Sequence, residues 1–88
     1  GPVSLNDGDV AALAERAAAL SGAALDVRIE PDPGDDPYRW GQHFWLVHFL
    51  TPDGRRSTAR VGAEESEDGA GQRLAAAAAS LAGPPPAD

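Results

Sequence analysis

His43 and His48 are the only imidazoles in the chain, and they sit on one segment whose apolar content reads as a strand. The spacing between them is odd, so alternation sends the two rings to opposite sheet faces. They cannot hold one ion together; the expectation is a packed His43 and a surface His48, the latter able to tune an interface with pH. Asp32, Asp35 and Asp36 have the residue type for calcium, but the alternating acids, sixth-position Gly and twelfth-position Glu of a calcium loop are missing. That segment reads as a solvated acidic loop. None of the serines at 4, 21, 57, 66 and 80 has a His and an acid placed to activate it. Gly62-Ala-Glu-Glu-Ser-Glu would meet a phosphate with three carboxylates, so it is no phosphate loop. No catalytic constellation emerges, and the chain reads as a non-enzyme without cofactor or metal.

Composition supports this. Seven cations, all Arg, stand against 14 acids, for a net charge of −7 over 88 residues, and there is no Cys, Met or Lys. A thiol nucleophile, a disulfide scaffold, a thiolate metal site and a Schiff-base lysine are excluded. Undirected polyanion binding is disfavoured by the charge. No apolar run approaches the ~20 residues of a membrane span, no signal segment is recognisable, and a cytoplasmic location is the expectation. Gly1-Pro2 reads as the remnant of a cleaved tag, within an N-terminal tail over 1–4. Residues 5–83 read as one domain and 84–88 as a Pro-rich tail.

These residues are positioned by five elements. A helix is expected over Asp7–Leu20, with Asn6 as N-cap, Asp9 in the first turn, Leu5 and Val10 as a hydrophobic staple, and Gly22 at the C-terminal end. Its inner stripe is read as Val10, Leu13, Ala17 and Leu20. Leu25, Val27 and Ile29 alternate with Asp26, Arg28 and Glu30, which predicts a strand over Ala24–Glu30, stopped by Pro31. An acidic, Pro-rich loop leads to Tyr38 and Trp40. The second strand, Gln42–Thr51, is apolar on both parities. Pro52, Asp53 and Gly54 form a three-residue hairpin loop that pairs Thr51 with Arg55, and a third strand follows to Gly62. The last helix begins near Glu67 behind Ser66 and runs to Leu81, with Ala70, Leu74, Ala77, Ala78 and Leu81 inside and Gly83 as its stop. The fold class is α+β, ordered α-β-β-β-α, with a three-stranded antiparallel sheet and both helices on one face.

From Asn6 to Leu81 this order resembles the double-stranded-RNA-binding-domain-like fold, down to the tight second hairpin and the short link to an Ala-rich last helix. The resemblance is one of topology. That family contacts RNA through a Lys-rich start of its last helix, its first helix, and a Gly-Pro-x-His loop. Here the last helix starts Ser66-Glu67-Asp68-Gly69-Ala70, and the loop carries Pro33-Gly34-Asp35-Asp36. Acid at those places repels phosphate, so no RNA-binding residue carries over.

The hairpin register has a consequence for the sheet. It pairs Phe49 with Ser57, Val47 with Ala59 and Trp45 with Val61 beneath the helices. It leaves Phe44, Leu46, His48 and Leu50 on the other face, opposite Arg56, Thr58 and Arg60 and beside Asp26, Arg28 and Glu30. An apolar stripe rimmed by charge reads as a protein interface, extended by Tyr38 and Trp40 and serving a protein partner or a homodimer. The nucleic-acid alternative rests on Arg28, Arg55, Arg56 and Arg60, whose simpler role is pairing with Asp26 and Glu30 across strands. A small-ligand carrier built around Trp45 lacks convergent polar groups.

Overall fold

The computed structural model describes residues 4–32 and 43–83. The order is α1 (Asp7–Ser21), β1 (Asp26–Pro31), β2 (Phe44–Leu50), β3 (Arg56–Gly62) and α2 (Glu67–Ala79). The three strands form one antiparallel sheet in sequence order, β1-β2-β3. Tyr38, Trp40, Gln42 and the 84–88 tail lie outside the described residues, as do residues 1–3.

Local chemistry sets the element ends. Asn6 accepts from the Asp9 amide at 2.9 Å, and its own amide donates to the Asp9 carboxylate at 3.0 Å. This reciprocal box satisfies donors that the first helical turn leaves open. Gly22 closes α1 at φ 78°, a left-handed conformation that costs glycine little. Ser66 caps α2 by accepting from the Gly69 amide at 3.0 Å. The end of α2 differs from expectation. The helix stops at Ala79, because the backbone tightens through Leu81 N–H to Ala78 O and Ala82 N–H to Ala79 O, and Gly83 is not its stop.

The hairpin follows the turn chemistry. Thr51 N–H donates to Arg55 O at 2.9 Å, Gly54 takes φ 91°, and Phe49–Ser57, Val47–Ala59 and Trp45–Val61 face one another as expected. The Thr51 hydroxyl donates to Asp53 and holds its carboxyl below the usual carboxylate range, with Arg55 adding to the effect. A lowered folded pKa stabilises the fold above the unfolded value of ~3.9 and loses that contribution as pH falls through the folded value. Thermal melts between about pH 5 and about pH 2 are therefore expected to show a smaller acid loss for Asp53→Asn than for the wild type.

Both helices lie on one face. Trp45, Val47 and Phe49 of β2 and Val61 of β3 are buried with Val10, Ala14, Ala17 and Ala18 of α1 and with Ala70, Leu74 and Ala78 of α2. The inner stripe of α1 is therefore Val10, Ala14, Ala17 and Ala18. Leu13 is only half-buried, and Leu20 is 72% exposed, contrary to the expected stripe. Small side chains let α1 settle close to α2, and the longer Leu13 and Leu20 border the groove between the two helices.

Candidate functional site: the outer sheet face

The strand period carries Phe44, Leu46, His48 and Leu50 to the face away from both helices, while Trp45, Val47 and Phe49 go to the core. The expectation that this outer row stands open is modified, since all four residues are half-buried. Part of the cover comes from charged neighbours. The Arg60 guanidinium lies 3.8 Å from the centroid of the Phe44 ring, a cation–π arrangement. The same guanidinium is held by Asp32 at 2.6 Å, so a carboxylate at the end of β1 and an aromatic ring at the start of β2 share one Arg of β3.

Gly62 completes this corner. A Cβ there would come within 2.9 Å of Phe44 Cε1 and 3.1 Å of Cδ1, so the ring occupies the space that a side chain would fill. Gly62→Ala is expected to push Phe44 off the Arg60 guanidinium and to cost about 1 kcal/mol. A melting curve and the aromatic proton shifts of Phe44 would read it; an unshifted ring would show that the fit is loose.

His48 spans the sheet. Its Nε2 is 2.8 Å from Glu30 Oε2 on β1 and its Nδ1 is 2.8 Å from the Thr58 hydroxyl on β3. The side chain is 15% exposed, more enclosed than the surface residue expected. Both ring nitrogens are thus engaged, one by a carboxylate and the other by a hydroxyl. His43 differs in the opposite sense. It is exposed, with its ring edge-on to Trp45 at 4.6 Å, because it stands at the end of the inner row before β2 begins. The two imidazoles do lie on opposite faces, and among the described residues no group of three His, Cys, Asp or Glu could hold a metal.

Around the row, Arg28 pairs with Asp26 at 3.3 Å and Arg55 with Asp53 at 3.2 Å. Arg56 lies opposite Leu50 and is exposed. The serines serve local structure: the Ser21 hydroxyl donates to Ala18 O, and those of Ser57 and Ser80 approach each other at 3.3 Å. Trp45 is core, while a depression of about 220 Å³ beside Phe44 is bordered by His43, Gly62, Ala63, Glu64 and Glu65. That lining brings acid and imidazole to an apolar floor, with no Arg among its described residues. No helix among the described residues is long and apolar enough to cross a membrane.

Two further contacts between elements have no signal in the sequence. The Trp45 indole N–H donates to the Asp7 carboxylate at 2.7 Å, tying the start of α1 to β2. Arg73 of α2 donates to Glu65 at 2.9 Å and also to the Arg60 carbonyl. Neither has a local sequence signal, because each partner alone is explained by its own element.

The element order is compatible with a double-stranded-RNA-binding-domain-like fold. No protein-family model, curated protein or solved structure matches the chain.

Proposed function

We propose that this domain is a non-catalytic protein-interaction module, a small acidic regulatory or adaptor unit that docks a protein partner through the outer face of its sheet. The observation carrying this reading is the row Phe44, Leu46 and Leu50 on the face that neither helix covers. Arg60, Arg56 and Arg28 rim it on one side of the charge balance and Glu30 and Asp26 on the other. An apolar centre with a mixed-charge rim suits a protein surface, since the rim sets register while the centre supplies the burial. Tyr38 and Trp40 belong to this reading as a sequence expectation.

The test compares wild type with Leu46→Asp and with a control, Leu20→Asp, at an exposed helix position. Partners that bind the wild type and the Leu20 variant but not the Leu46 variant support the reading. Equal binding by all three removes it.

The nucleic-acid alternative has weaker support. Of its four arginines, Arg28, Arg55 and Arg60 already carry carboxylate partners. Duplex binding that weakens steeply with salt would revive it.

A further inference from the structure

The sheet has two edges, and the structure treats them differently. In β3 the residues facing β2 with their backbone groups are the odd ones, as Ala63 N–H to His43 O and Thr51 N–H to Arg55 O show. The even residues of β3 therefore present N–H and C=O outward. That edge is partly closed: the Gly62 amide donates to Glu65 at 2.6 Å, and the Arg60 carbonyl accepts from Arg73. Side chains that occupy edge groups in this way block strand addition.

On β1 the parity is the reverse. Asp32 N–H donates to Phe44 O, so the even residues face β2 and Val27 and Ile29 turn their backbone groups outward. No described residue takes those groups. Leu25, Val27 and Ile29, on the helix-side row, are only half-buried, whereas Val47 and Phe49 beside them in β2 are fully buried. The core thus thins toward an edge whose hydrogen-bonding groups no described residue occupies. Pro31 ends the strand, and its missing N–H falls on the outward side.

We propose that β1 is a strand-pairing edge and that its occupant is a second copy of this chain, paired antiparallel about Val27 to give one continuous sheet across a two-fold axis. The charge pattern selects both the partner and the register. With Val27 opposite its own copy, Leu25 meets Ile29 on the helix side, and Asp26 meets Arg28 on the outer side, twice by symmetry. Asp26 and Arg28 then form non-hydrogen-bonded pairs, the kind whose side chains approach most closely. Both are largely exposed in the single chain, so their mutual ion pair within one strand is easily exchanged for the pair across the axis. Centring on Arg28 instead would set Arg28 against itself and Asp26 against Glu30. Centring on Ile29 would match Arg28 with Glu30 but set Asp26 against Asp32 and Val27 against Pro31, which has no donor. Only the Val27 register joins apolar to apolar and acid to base with neither a like-charge pair nor a missing donor. A six-residue strand buries less than a standard interface, so the pairing belongs to the weak, reversible class. This inference concerns the edge and does not depend on the outer face docking a protein.

The test is sedimentation equilibrium of the full chain up to about 1 mM, a range matched to weak association, with amide exchange followed at each concentration. A dimer is expected in which the Val27 and Ile29 amides gain protection as concentration rises while those of Arg56 and Thr58 do not. Arg28→Asp places like charges across the axis twice and is expected to weaken association about tenfold or more. The double exchange Asp26→Arg with Arg28→Asp restores opposite charges and is expected to recover it. A chain that stays monomeric throughout overturns the proposal. So does a double variant as weak as the single one, or an association that Leu46→Asp abolishes while the Val27 and Ile29 amides remain unprotected.

Discussion

Trp45→Asp is expected to unfold the domain, and Leu46→Asp, at the next position, to leave it folded while abolishing docking. Trp45 is 3% exposed and its indole donates to Asp7 at 2.7 Å. Removing a buried Trp side chain costs about 3–5 kcal/mol. The replacement carboxylate adds a buried like charge near Asp7, with no cation of the core to offset it. A domain this small has a stability toward the low end of about 5–15 kcal/mol, so that sum exhausts it. Leu46 faces the other way, half-buried between Glu30 and Arg60 on the flanking strands. A carboxylate there stays hydrated and meets Arg60 on one side, so the fold loses on the order of 1 kcal/mol. Against a partner that desolvates the row, the same carboxylate costs several kcal/mol. Melting temperature and binding, measured on both variants, separate the two effects. If Leu46→Asp unfolds the chain as fully as Trp45→Asp, both faces are core and no docking row exists.

What the sequence made legible divides along the range of the interactions. The Asn6 box, Gly22, the Ser66 cap and the Pro52-Asp53-Gly54 loop each act within a few residues, and each stands where its chemistry requires. Once that loop fixed Thr51 against Arg55, every later pair of β2 and β3 followed by counting, and with it the outer row. Edge closure by Arg73 and Glu65, the Asp7–Trp45 bond, and the Arg60 guanidinium shared by Asp32 and Phe44 depend on how elements dock. No periodicity encodes them. Parity places His43 and His48 on the correct faces but does not give their environments. Parity gives the face, whereas burial depends on where the row ends and on whether Glu30 and Thr58 reach across. The α1 stripe went astray for a related reason. Hydropathy weights Leu above Ala, but a helix that packs closely on its neighbour selects for small side chains.

That last point carries a second large effect, at Leu74. Expected results are a loss of about 2–5 kcal/mol for Leu74→Ala and almost no change for Leu20→Ala. Leu74 is fully buried and is the one large side chain among the buried residues of α2, whose others are Ala70 and Ala78. Truncating it leaves Ala70 and Ala78 as the buried side chains of the helix, beside a cavity where the leucine stood. Neighbouring alanines have no longer side chain to swing into the void, so relaxation recovers little. At about 4–8 °C per kcal/mol for a domain of this size, the melting temperature falls by about 8 °C or more. Leu20 removes apolar surface that is already in water, so its truncation lies within about 0.5 kcal/mol of neutral. Thermal melts of the two variants decide between the packings. Equal losses would place Leu20 in the core and return α1 to the stripe that hydropathy alone predicts. A near-neutral Leu74→Ala would mean that α2 is held by its caps and by the Arg73–Glu65 contact rather than by the core.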